Sequence, residues 1–245
     1  MAEPFLKTPN SWFTTTLEPD PTSDVIISVE TGNTPDTKKK HYWGGQHPWL
    51  TPKDITTNGF KLFVSHTERT ISDKGMQESS TKLMPPGTVM VTKRAPVGSV
   101  AINTVPMATN QGFLNFICGS RLRPIYLANW FIVNKPYLDA VANGSTYPEL
   151  YRYDLFEFQI SFPPIEVQDK IISIINSTQL LHQLISTLEK SSNDFKAISK
   201  YHIASQNINK ITSILLPKLL SGQIDVSITN GVINDIIEYP RLVQS

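Results

Sequence analysis

The spacing of apolar residues changes near residue 163, and that change limits what this chain can fold into. From Ile165 onward the apolar side chains fall three and four apart: Ile171, Ile175, Leu181, Leu184, Ile185 and Leu188, then Phe195, Ile198, Ile208, Ile211, Leu215 and Leu219. Such spacing is a helical stripe, and it persists for about fifty residues. Pro163 and Pro164 break whatever precedes it, and proline is tolerated at a helix start because the first N–H groups lack partners there. The string SSND at 191–194 prefers caps to helix interiors and predicts a break. Pro217 and then Ser221 and Gly222 predict the end. A helix of this length leaves one apolar face uncovered, and such faces are normally buried against another helix. The expectation is therefore an antiparallel helical (coiled-coil) partner from another copy or another subunit. Ile171, Ile175, Leu181, Leu184, Leu188, Ile198, Ile208, Ile211 and Leu215 would make the pairing interface. The alternative is two ordinary helices folded back on the first part of the chain.

Before the switch the sequence is rich in turns and short branched runs. Residues 25–29, 62–64, 88–92, 99–102 and 112–117 carry strand-favouring side chains. They are separated by turn strings: GNTP at 32–35, GG at 44–45, PPG at 85–87 and APVG at 95–98. A hairpin is predicted over 88–102, with Lys93 and Arg94 entering its turn. Residues 125–134 read as a buried helix, with strand left open. The predicted organisation is a head over 1–162, a helical spacer and pairing region over 163–226, and a tail over 227–245 without readable signal.

Composition narrows the function classes. Of 245 residues, 40% are hydrophobic and 18% charged, which describes an ordinary folded protein rather than a disordered one. Cys118 is the only cysteine, so no internal disulfide forms. No apolar run reaches the about 18 residues that a membrane-spanning helix needs. The opening MAEPFLKTPN lacks a signal-peptide pattern, so no membrane association and a cytoplasmic location are expected. Net charge is only +1, but from Asp36 to Arg94 ten Lys and Arg face five Asp and Glu, a local surplus of five. A surplus confined to one stretch is compatible with a nucleic-acid-facing patch.

Signatures of catalysis are missing. There is no phosphate loop, no GxGxxG after a strand, no HExxH, no paired CxxC and no NPPY or DPPY tetrapeptide. His41, His47, His66, His182 and His202 do not fall at metal-ligand spacing, Ser145 lacks a nucleophile elbow, and Cys118 reads as apolar filler. No catalytic residue, metal or cofactor is expected. Basic, amide and aromatic residues do cluster near predicted turns, among them Trp43, Trp49, Asn110 and Gln111. Arg and Lys donate to guanine edges, Asn and Gln pair with adenine edges, and other cations neutralise phosphates. The DNA-binding candidates are Lys53, Arg69, Lys74, Lys93, Arg94 and Gln111, with Trp43 and Trp49 read as packing residues.

Taken together, several strings carry a specific resemblance. They are TGNTPDTK at 31–38, YWGG at 42–45, PWLTPKDI at 48–55, TISDKG at 70–75 and LMPPGT at 83–88. RAPVG at 94–98, ATNQGF at 108–113, GST at 144–146, ISFPPIEVQ at 160–168 and LLPKLLSGQI at 215–224 continue the series. In this order the chain resembles the specificity subunits of type I restriction-modification systems. The resemblance implies an α+β chain: a mixed α/β target-recognition domain with a twisted sheet, followed by a helical spacer that forms an antiparallel coiled coil. It also implies partners, namely double-stranded DNA, methyltransferase (modification) subunits and a restriction subunit where the system has one. Typical members carry two recognition domains and two spacers, whereas this chain carries one set. A half-subunit that pairs with itself and reads a gapped palindrome is the simplest expectation, and a truncated, swappable or fragment form is the competing one. Two other readings are a coiled-coil assembly or regulatory protein that does not read DNA, and a nuclease.

Overall fold

The computed structural model describes residue 9 and residues 11–142, 148–191 and 194–226, with residue 195 described by its backbone alone. The GST string at 144–146, Ser192, Asn193 and the tail lie outside the described residues. Chain contacts divide these residues into two units, 11–168 in the first and 169–226 together with residue 9 in the second.

The first unit is built on five strands that the branched runs predict. β2 (Ile26–Thr31), β4 (Phe63–Val64), β6 (Val89–Thr92), β7 (Val100–Asn103) and β9 (Phe113–Cys118) form one mixed sheet in the order β2-β9-β6-β7-β4. All neighbours are antiparallel except β4 and β7. The predicted hairpin over 88–102 is present, with Val89 opposite Ile102. Central strands are covered on both faces, which explains why β6 is buried throughout instead of alternating. One face meets the helix α3 (Pro124–Ala142), where Phe116 packs on Phe131 at 5.1 Å. The helical reading of 125–134 holds and extends past Pro136. Against the other face lies a cluster of Leu50, Ile55, Val64, Met84, Met90, Ala101, Met107 and Phe113.

Part of that cluster comes from a second, three-stranded sheet whose strands the composition does not announce. β3 (Trp43–Leu50) runs between β5 (Thr70–Ile71) and β8 (Ala108–Thr109). Here Gly44 and Gly45 do not form the expected turn. They lie inside β3, where the register shifts between Trp43 and His47, and Gly44 takes φ +77° in this bulge. A third pairing joins β1 (Phe13–Thr16) to β10 (Gln159–Phe162), with Phe13 opposite Phe162.

Two buried amides fix the turns between these elements. Asn103 donates to the carbonyls of Met84, Pro85 and Val105 and accepts from Thr88 N at 2.8 Å, which closes the LMPPGT string onto β7. Gly87 in that turn sits at φ +85°, a conformation side-chained residues rarely adopt. Gln168 accepts from Arg123 N and donates to the carbonyls of Arg121 and Pro163, each at 2.9 Å. Side chains with both donor and acceptor atoms suit such positions, because buried backbone groups need partners.

The second unit holds most of α5 (Ile165–Ser191) and all of α6 (Phe195–Leu220). The break falls where SSND predicts it, and Asp194 caps α6 by accepting from Lys196 N at 2.9 Å. At the far end Ser221 and Gly222 terminate α6, Gly222 at φ +69°. His182 of α5 meets Ser205 of α6 at 3.1 Å, and Glu189 meets His202 at 3.2 Å. Later positions on α5 therefore face earlier positions on α6, and the two helices run antiparallel. This corrects one expectation: an antiparallel partner is supplied by the same chain.

The expected interface residues consequently separate into groups. Ile171 and Ile175 are buried within the single chain, and Ile198, Ile208 and Leu215 are half-buried. Leu181, Leu184, Leu188 and Ile211 remain about half exposed, at 49%, 54%, 48% and 57%. Reversal of the helix thus covers part of the stripe and leaves a seam.

Candidate nucleic-acid interface

The candidate residues gather around the two tryptophans of β3. The indole N–H of Trp49 donates to the carbonyl of Asn33 at 2.9 Å, and that of Trp43 to the carbonyl of Asp36 at 3.2 Å. Both rings thereby anchor the 33–36 loop. They meet edge to face at 4.9 Å. Trp49 is buried and Trp43 half-buried, in agreement with their reading as packing residues.

Arg69 lies on this aromatic base. Its guanidinium carbon is 3.6 Å from the Trp43 ring centre and 5.2 Å from that of Trp49, within cation–π range. Its backbone is fixed too, since its carbonyl accepts from Trp49 N at 3.1 Å and from the Thr67 hydroxyl at 2.6 Å. An exposed arginine is thus held in one plane.

Neighbouring turns bring further candidates to the same rim. Lys53 is in the first turn of α1 (Pro52–Thr57), which opens on a capping box between Thr51 and Asp54. Asp54 also accepts from Glu68 N at 2.8 Å, tying α1 to the segment that carries Arg69. Gln111 sits in the 110–112 turn and accepts from the Thr34 hydroxyl. That turn is pinned by Asn110 N to Leu50 O at 3.0 Å and by Asn33 N to Thr109 O at 2.9 Å. Gly32 allows the approach, because a Cβ there would come within 2.1 Å of the Asn110 carbonyl. Lys93 N donates to Gly112 O at 2.8 Å, which attaches the β6–β7 turn and Arg94 to this edge.

Lys74 belongs to a neighbouring corner. It lies on α2 (Asp73–Glu78), 3.8 Å from Glu78, and Glu78 accepts from the Tyr42 hydroxyl, which in turn accepts from Lys39.

Charge pairing sets the candidates apart. Lys53 pairs with Glu68 at 2.7 Å, Lys74 with Glu78, and both Lys93 and Arg94 with Glu149 at 3.1 and 3.2 Å. The hydrogen bond and charge of Glu68 hold the Lys53 ammonium above its ordinary pKa. Glu149 is held below the usual carboxylate range: partial burial opposes its charge, but the bonds from Lys93 and Arg94 outweigh it. Arg69 differs, for among the described residues no carboxylate lies within salt-bridge distance of it, and its partners are the two indoles.

Thr34, Glu68 and Glu149 were not among the candidates. Each meets its candidate partner only across many positions, so no local spacing marks the pairs. Among the described residues no group of His, Cys, Asp and Glu is arranged to hold a metal, and no helix is long and apolar enough to cross a membrane.

Comparison with known proteins adds to this geometry. The family model of the type I restriction modification DNA specificity domain matches residues 22–193. The specificity subunit of type I restriction enzyme MjaIX from Methanocaldococcus jannaschii is 41% identical over 153 residues, covering 62% of this chain and 35% of that protein. The HindI specificity subunit of Haemophilus influenzae is 25% identical over 202 residues, 79% of this chain and 39% of that protein. Among solved structures, the HsdS subunit from Thermoanaerobacter tengcongensis superposes with a TM-score of 0.56 at 18% identity, covering 91% of this chain and 48% of that one. The chain therefore spans less than half the length of each of these relatives, and the structural likeness is one of fold.

Proposed function

The chain belongs to the family of type I restriction modification DNA specificity domains, and from that premise we propose that it reads duplex DNA for a type I restriction-modification system without catalysing a reaction itself. In this reading the head at 1–162 contacts DNA and the helical region at 163–226 docks methyltransferase subunits, which bring the methyl donor and the adenine chemistry. A restriction subunit, where the system has one, joins that assembly, and the work is done in the cytoplasm.

The observation that carries the proposal is the state of Arg69. A guanidinium fixed on two indoles, exposed and, among the described residues, without a carboxylate partner, is a preorganised donor fork of the kind that reads a guanine edge. Lys53 on the same rim suits a phosphate contact, Arg94 a base or phosphate contact, and Gln111 an adenine edge. The test is selection of bound duplexes from a random pool with the methyltransferase subunits present, followed by gel shift of selected against random duplexes. Preference for the selected sequence, weakening with salt, is the expected result. Equal affinity for every duplex with methyltransferase binding retained would instead favour a non-reading assembly protein.

Self-pairing is the finer part of the proposal. Leu181, Leu184 and Leu188 line one exposed face of α5 at three- and four-residue spacing, as a helix-pairing seam requires. An isologous pair would present the same head twice in inverted orientation and read a gapped palindrome. An α5 of 27 residues is about 40 Å long at about 1.5 Å per residue. That length matches half-sites about one DNA turn apart, about 34 to 36 Å. Light scattering at micromolar concentration should give a dimer, and a strict monomer rejects self-pairing.

A further inference from the structure

The Lys93, Arg94 and Glu149 cluster differs from the other ion pairs among the candidate cations. Lys53 with Glu68 and Lys74 with Glu78 are exposed pairs of small energetic consequence. At the β6–β7 turn, by contrast, one carboxylate oxygen of Glu149 meets two cations, Lys93 Nζ at 3.1 Å and Arg94 Nε at 3.2 Å. The Lys93 and Glu149 side chains are each 18% exposed, while Arg94 is 52% exposed. The backbone holds the three together, since Leu150 N donates to Lys93 O at 2.8 Å and Arg94 bridges to Glu149. Two cations against one carboxylate leave a local charge of +1.

The chemistry of the guanidinium gives this arrangement a direction. Arginine offers five N–H donors on two edges, one containing Nε and one formed by the two terminal nitrogens. Glu149 occupies the Nε side, so the terminal fork is the edge left on the half-exposed part of the side chain. Lys93, mostly covered and already neutralised, is withdrawn from general attraction to phosphates.

We propose that Glu149 is a specificity-determining positioning residue: by holding Arg94 through Nε and neutralising Lys93, it leaves the outer fork of Arg94 to read DNA and suppresses binding driven by charge alone. This rests on the DNA-reading function proposed above. A carboxylate here costs non-specific affinity, because it removes one counterion-releasing charge from the rim. It gains discrimination, because a fixed fork distinguishes bases where a mobile cation does not.

The test uses the full chain, a duplex selected from a random pool and a random-sequence duplex of equal length. Removing the charge with Glu149→Gln should tighten binding to the random duplex by about five-fold at about 0.15 M salt, and steepen the slope of log affinity against log salt by about one. The ratio of selected to random affinity should fall by about five-fold or more. Arg94→Lys retains both charges and lacks the fork, so it should leave the salt slope unchanged and lower the same ratio. Thermal melting shows whether Glu149→Gln is folded at the assay temperature, and Arg94→Lys provides the reading if it is not. If the unaltered chain discriminates and both variants keep its ratio, the role of Glu149 is rejected while the DNA-reading function stands. If the unaltered chain shows no preference for any duplex, the DNA-reading function itself fails and the inference with it.

Discussion

Replacing Gln168 with alanine should destabilise the head far more than an ordinary polar substitution. Its buried amide satisfies three backbone groups: Arg123 N, Arg121 O and Pro163 O. Leaving a buried backbone group without its partner costs about 1 to 3 kcal/mol, and water relieves the partly exposed ones. One fully buried and two partly buried bonds then sum to about 3 to 5 kcal/mol. For a unit of this size each kcal/mol moves the melting temperature by about 2 to 4 °C, so a fall of about 6 to 20 °C is expected. The assay is circular-dichroism melting with denaturant titration as the equilibrium check. Gln168→Glu sharpens the test, for it preserves shape and one acceptor but turns a donor pair into a carboxylate facing two carbonyls. At neutral pH it should be at least as damaging as alanine. Its carboxyl pKa in the folded state would be raised, so stability should return as pH falls and the protonated group donates one bond. A loss below about 1 kcal/mol for alanine, or an undamaged glutamate variant, would refute the claim that this amide fixes the backbone at Arg121, Arg123 and Pro163.

Other predictions address the rim, the helices and the one thiol. Arg69→Lys keeps the charge but loses the stacked plane, and should weaken the selected duplex by about 5- to 150-fold while leaving random-duplex binding nearly unchanged in gel shifts. Leu184→Lys with Leu188→Lys places charge in the exposed seam of α5, and should abolish the dimer in light scattering without loss of helical signal. Gly75→Ala would put a Cβ 2.4 Å from the Tyr42 carbonyl, so a fall in melting temperature is expected, and an unchanged value would mean that α2 shifts freely. Burial pushes the Cys118 thiol up to about 12, so it stays protonated at pH 8 and should alkylate slowly until the chain unfolds. In the unfolded chain the same thiol ionises near its ordinary pKa, so its contribution to stability is complete below that pH. The contribution falls as pH rises toward the folded value.

The candidate site was partly legible from residue types. Lys53, Arg69, Lys93, Arg94 and Gln111 lie on segments joined by hydrogen bonds, because turn strings place them near strand ends and the sheets bring those ends together. What separates Arg69 from the others was not legible, since it depends on which cations fold next to a carboxylate. Glu149 reaches Lys93 and Arg94 across more than fifty positions, and Thr34 reaches Gln111 across 77. The GG string misled for a related reason: glycine permits a bulge as readily as a turn, and only the pairing of β3 with β5 chooses.

By itself the sequence determined many of the local conformations and their order. Proline and glycine restrict backbone angles, branched residues favour strands and three-and-four spacing favours helices, and each acts within a few residues. It therefore located the change near Pro163, the break before Phe195, the 88–102 hairpin and the family strings. Tertiary structure alone decided that α5 finds its antiparallel partner in α6, that Ile171 and Ile175 are buried, and that all but one of the candidate cations are matched by carboxylates. Those outcomes depend on distances between groups far apart in the chain, and such distances exist only once the strands are paired and the helix has turned back.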